Sequence, residues 1–122
     1  MADKLMIVML NTDPKNPAEL GAPFFQASVA AAMELDVEIV FSGGAAELAV
    51  KGVAEKLYVK QGSPKTVYDF IKDAYEAGVK FKICSPALDL WGNDLISEIK
   101  ETVGGAYVIG QAIDDDVVTL TY

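Results

Sequence analysis

The chain has 122 residues, a length that suits one domain, and 52% of them are hydrophobic, enough to build a core. Its net charge is −8, its ten basic residues are all lysine, and it has no histidine; this argues against a nucleic-acid surface and excludes catalytic pairs and metal sites built on histidine. No apolar run reaches the roughly 18 residues of a membrane span, and the opening M-A-D-K-L-M-I-V-M-L reads as a strand rather than a signal peptide.

Residues 4–10 (K-L-M-I-V-M-L) are nearly continuously apolar, which suits a central parallel strand covered on both faces. Residues 11–21 form a polar loop from the carboxyl end of that strand, with Asn11 and Thr12 placed to line a site. A helix is expected over 23–35, where Phe25, Val29, Ala32 and Met33 fall at helical spacing. A second strand covers 37–41 (V-E-I-V-F), and Ser42, Gly43 and Gly44 follow at its carboxyl end. The dinucleotide and Walker glycine patterns are absent there, so nucleotide binding is not expected, but bare backbone N–H groups at this turn suit a small anion.

A short helical piece over 45–50 and an irregular stretch over 53–62 lead to the clearest helix. There Val67, Phe70, Ile71, Ala74 and Tyr75 repeat at helical spacing and Gly78 closes the element. Further on, Leu95, Ile96 and Ile99 suggest a short amphipathic helix, 101–103 a brief strand and 107–113 a last helix. Residues 117–122 are a terminal strand with Val118, Leu120 and Tyr122 on one face. The run Asp114, Asp115, Asp116 reads as a solvated turn, and no metal is expected. Strands alternating with helices define an α/β class: one domain over 1–122, with a parallel sheet of about five strands and helices on both faces.

Between the long helix and the Leu95 segment lies the stretch that carries chemistry. Val79, Phe81 and Ile83 alternate with Lys80, Lys82 and Cys84, a strand with one apolar face. Ser85 suits the N-cap of a following helix and Pro86 its first position. The only cysteine thus ends a strand beside the positive end of a helix, where the thiolate is favoured. A small, buried and inert cysteine is the competing reading. A lone cysteine forms no internal disulfide, which fits a reducing, cytoplasmic compartment. Asn11, Ser42 and Cys84 all fall at strand carboxyl ends, which share one edge of a parallel sheet, so their loops can converge on one cleft. Lys82, on the Cys84 face, offers a positive charge if it turns toward the sulfur. Trp91 caps the site, joins a subunit interface or packs in the core.

The stretch K-T-V-Y-D-F-I-K-D-A-Y-E-A-G-V-K-F-K-I-C-S-P-A-L-D-L-W-G (65–92) resembles the DsrE/DsrF-like family of small, TusD-like sulfur-relay proteins. The ending G-Q-A-I-D-D-D-V-V-T-L-T-Y is similar to that family's last helix and strand. The resemblance implies a flavodoxin-like fold and assembly into homo- or hetero-oligomers of trimer or hexamer type. It also implies a cysteine, here Cys84, that carries sulfur as a persulfide or thiosulfate-type adduct, and a TusA-like carrier as partner. In this reading Cys84 takes sulfur from a small sulfur compound whose anionic part is held by backbone N–H groups at Ser42, Gly43, Gly44 and Ser85. With no second cysteine, release needs an external thiol. Some family members lack a working cysteine, so a non-catalytic structural or regulatory subunit is the alternative. A flavin-dependent enzyme finds no support in the loop composition, and no cofactor is expected.

Overall fold

The protein is described by a computed structural model covering residues 2–122. Among these residues, β1 (Lys4–Met9), β2 (Asp36–Phe41), β3 (Lys80–Cys84), β4 (Ile99–Val103) and β5 (Val117–Thr121) form one parallel sheet in the order β4-β3-β2-β1-β5. The helices are α1 (Ala22–Ala32), α2 (Val67–Glu76), α3 (Ser85–Trp91) and α4 (Gly105–Ala112), with 3-10 segments at Pro17–Glu19, Gly43–Ala49 and Ala54–Lys56. No helix among the described residues is long and apolar enough to cross a membrane.

The two faces of the sheet are unequal. Ile7 and Met9 of β1, Val37, Ile39 and Phe41 of β2, and Phe81 and Ile83 of β3 point into the larger core. There they meet Phe24, Ala27 and Ala30 of α1 and Val67, Ile71 and Ala74 of α2. Phe24, Phe41 and Phe81 sit at its centre, with ring centroids 5.9–6.4 Å apart, the separation at which aromatic pairs attract beyond their buried area. On the other face Met6, Val40 and Val103 form a small core beneath α4, which contributes only the half-buried Tyr107 and Val108. Helices thus lie on both faces, but three of the four pack on one.

Sequence expectation and structure part at three points. Helix α1 buries Pro23, Phe24, Ala27 and Ala30, so the stripe Phe25, Val29, Ala32 and Met33 faces outward. Periodicity identifies a helix but cannot choose between two apolar faces. The same helix ends at Ala32 rather than near 35. Glu34 adopts φ +68°, and its N–H and that of Leu35 donate to the carbonyls of Ala31 and Ala30, the Schellman arrangement that closes a helix. Leu95 to Ile99 is not a helix: Leu95 bridges antiparallel to Val50, Ile96 N–H donates to the Ala49 carbonyl, and Ile99 begins β4. Tertiary pairing with the 49–51 segment outweighs a periodicity only five residues long.

A non-glycine residue in the left-handed region costs about 1–2 kcal/mol. Glu34→Gly should therefore raise the unfolding free energy by about 1 kcal/mol in urea titrations. An unchanged or lowered midpoint would show that this turn is not strained.

Candidate functional site

Cys84 is a free, half-buried thiol that closes β3, an inner strand, and pairs with Val103 of β4. Alternation along β3 sends Phe81 and Ile83 into the larger core and puts Lys82 and Cys84 on the α4 face. The helix after it begins one residue earlier than Ser85 capping requires. Cys84 itself is the N-cap, extended at φ −74° and ψ 133°, with Ser85 already the first helical residue and Pro86 the second. The cysteine is still in the ladder with Val103 when the chain turns helical, so the last strand residue takes the cap position.

One of the two other singled-out loops adjoins this strand end. Ser42 is extended and donates its backbone N–H to the Met9 carbonyl at 2.9 Å, and the 3-10 segment starts at Gly43. Gly43 adopts φ +51°, and a Cβ there would lie 2.7 Å from Leu10 Cδ1 and 3.3 Å from the Leu10 carbonyl oxygen. Glycine is required by conformation and by close approach alike. The Trp91 indole N–H donates to the Gly43 carbonyl at 2.8 Å, and its ring packs against the larger core. Trp91 thus ties α3 to the Ser42–Gly44 turn, while Gly44 stays exposed. Asn11 stands apart. It lines a cavity with Thr12, Glu19 and Tyr122 at the ends of β1 and β5, and two strand spacings, about 10 Å, separate β1 from β3.

Lys82 has its own partners. Its ammonium lies 2.7 Å from Glu38 and 2.8 Å from the Tyr107 hydroxyl. Glu38, on β2 and only 1% exposed, also pairs with Lys4 of β1 at 3.1 Å. The Tyr107 hydroxyl lies 2.8 Å from both Glu38 oxygens, and Lys4 donates to Gln111 at 2.7 Å. Two residues of α4 are therefore fastened to three adjacent strands, Tyr107 through Glu38 and Lys82 and Gln111 through Lys4. Burial alone would raise the Glu38 carboxyl, but hydrogen bonds from Lys82, Tyr107 and Lys4 and the Lys4 charge hold it below the usual carboxylate range. Burial pushes the Lys82 and Lys4 ammoniums down, and their bonds to Glu38 and Tyr107 more than offset this, so both are raised. The sequence reading singled out Lys82 but not Glu38, Lys4 or Tyr107. The available signal was a charge inside each of three apolar strands, since a buried charge requires a partner.

A parallel α/β sheet with a free cysteine at an inner strand's carboxyl end, beside a glycine turn pinned by tryptophan, defines a thiol-bearing α/β domain. Residues 4–120 match the DsrE/DsrF-like family, and the chain belongs to it. The fold is similar to that of the ychN protein from E. coli, with a TM-score of 0.74 and 17% identity over the whole of both chains. No curated protein matches the chain. The family supports a role in sulfur relay in general.

Because Glu38 titrates lower folded than unfolded, the unfolded chain takes up the proton first as pH falls. Its stabilisation is full above the ordinary carboxylate pKa and disappears as pH drops through the lowered folded value. Glu38→Gln leaves Lys4 without its carboxylate partner and Lys82 with only Glu101 at 3.9 Å, and should lose on the order of 3 kcal/mol at neutral pH. In urea titrations from neutral pH downward, that deficit should shrink once the wild type passes below the carboxylate range. A deficit that stays constant into acid would show that the carboxylate charge is not what holds the cluster.

Proposed function

We propose that the protein carries sulfane sulfur on Cys84 and hands it to a thiol on a partner. The observation supporting this reading is a free, half-buried cysteine at the carboxyl end of an inner strand, in a chain of a sulfur-relay family. A thiolate attacks without a general base at the moment of reaction, which suits a chain without histidine. With thiosulfate as donor, the Cys84 thiolate attacks the outer sulfur. The bond between the two sulfurs breaks, sulfite leaves with the electron pair, and Cys84 is left as a persulfide. An acceptor thiolate then attacks the terminal sulfur, and Cys84 departs as thiolate. Neither step needs an oxidant.

Backbone N–H groups of Gly43, Gly44 and Ser85 are the groups assigned to the anionic part of the donor, whereas that of Ser42 is taken by the Met9 carbonyl. Trp91 supports that role by holding Gly43. These residues contain one cysteine, so the acceptor is external, and a small TusA-like carrier in a reducing cytoplasm is the partner this reading favours.

Intact-mass spectrometry after incubation with thiosulfate or polysulfide tests the carrier step. The expected result is one added sulfur on the wild type, absent in Cys84→Ser and removed by dithiothreitol. No adduct, together with a thiol that alkylates only on unfolding, would overturn it in favour of a non-catalytic subunit or adaptor.

The reading includes self-assembly into a trimer or hexamer. Its support is the outward stripe on α1, where Phe25 is 69% and Met33 68% exposed, with Val29 and Ala32 between them; an unbroken apolar stripe of this kind marks an interaction surface. Light scattering should find an oligomer in the wild type and a smaller particle for Met33→Lys. A monomeric wild type would contradict this.

A further inference from the structure

A cavity of about 290 Å³ opens outside the carboxyl ends of β1 and β5, lined by Asn11, Thr12, Glu19 and Tyr122. Its place in the sheet is distinctive. The chain lays down β1 to β4 one after another toward one edge, then returns to add β5 on the other side of β1. The strand order therefore reverses between β1 and β5. Helix α1, after β1, packs on one face of the sheet, and α4, before β5, packs on the other. Open parallel sheets bind ligands in the crevice at such a reversal.

The loop that carries Asn11, Thr12 and Glu19 is tied by hydrogen bonds, although Asn11 and Glu19 are exposed. The Tyr122 carbonyl accepts the N–H groups of Leu10 at 2.9 Å and Asn11 at 2.8 Å, and Tyr122 N–H donates to Val8. Glu19 accepts from the Asn16 amide at 2.9 Å and from Asp13 N–H at 3.3 Å, closing the loop on itself. Leu20 is fully buried beneath it, and Thr12 is only 6% exposed.

The lining residues carry an amide oxygen, a hydroxyl, a carboxylate with acceptor capacity beyond its two loop bonds, and an aromatic ring that also packs against the larger core. It holds no cation, and the chain's net charge is −8, so an anion is electrostatically disfavoured. We propose that this cavity binds a small primary ammonium compound. The three N–H donors of the ammonium are matched by oxygens of Glu19, Thr12 and Asn11, and the body of the ligand lies against Tyr122.

The site is separate from Cys84, and its test does not depend on sulfur chemistry. Amide NMR titration of the wild type and Cys84→Ser uses tyramine, its neutral alcohol analogue tyrosol and the anion 4-hydroxyphenylacetate as probes. Tyramine should give saturable shifts at Asn11, Thr12 and Tyr122 at millimolar concentration, equally in both proteins. Tyrosol, whose hydroxyl keeps one donor and no charge, should bind at least about tenfold more weakly. Glu19→Gln should weaken tyramine by a similar factor. Thr12→Val, which leaves the Glu19 loop contacts in place, should also weaken it. Absence of saturable shifts would overturn the proposal. So would tyrosol or the anion binding as tightly as tyramine, or unchanged tyramine binding in both Glu19→Gln and Thr12→Val.

Discussion

The ion cluster around Glu38 is the constraint on which the α4 side of the molecule rests. Three neighbouring strands each place a charged residue on that face: Lys4 on β1, Glu38 on β2 and Lys82 on β3. The parallel register sets Lys4 beside Asp36 and Glu38 beside Lys80, so the charges meet diagonally through long side chains. Tyr107 then reaches the same carboxylate from α4. Helix α4 has no fully buried residue, so polar contacts supply much of what apolar packing supplies to α1 and α2. Such contacts are directional, and they hold the helix in one position where a small apolar core would tolerate several.

This asymmetry shapes the edge of the sheet where the strand carboxyl ends lie. The larger core fixes β2, β3, α1 and α2 around three phenylalanines, which gives the carboxyl ends of the inner strands a rigid base. The loops above that base are joined by single, specific contacts. Trp91 holds the Gly43 carbonyl, and Gly43 in turn lies against Leu10. Cys84 therefore sits between a hydrophobic scaffold on one face and the Glu38 cluster on the other. Lys82, two residues before it, is committed to the cluster. A cation at the sulfur would have to come from elsewhere, and the reactivity assigned to Cys84 rests on the backbone around it.

Membership of the DsrE/DsrF-like family gives the cysteine its chemical context, and the fold agrees with that of the E. coli ychN protein despite low identity. A sheet of this type stores function at strand ends, where the loops are free to vary while the core is kept. Two such places are visible here: the end of β3 with its thiol, and the reversal between β1 and β5 with its cavity. They lie on the same edge of the sheet but carry different chemistry.

The sequence alone determined the class of fold. Apolar runs and apolar periodicity marked β1, β2, β3 and β5, helices α1, α2 and α4, and the strand-end position of Cys84, because residues close in sequence are enough to set those patterns. The same local information missed the helix boundary at Cys84, which depends on a strand partner, and the Leu95 segment, which depends on Val50. It could not choose the buried face of α1, since both faces are apolar and only packing on the sheet breaks the tie. It singled out Lys82 without its partners, because Glu38 lies 44 residues earlier and Tyr107 25 residues later. Tertiary structure alone decided which charges meet, which strand ends share a cavity and which apolar stripe remains outside, because each is set by the order in which the strands assemble rather than by any local preference of the chain.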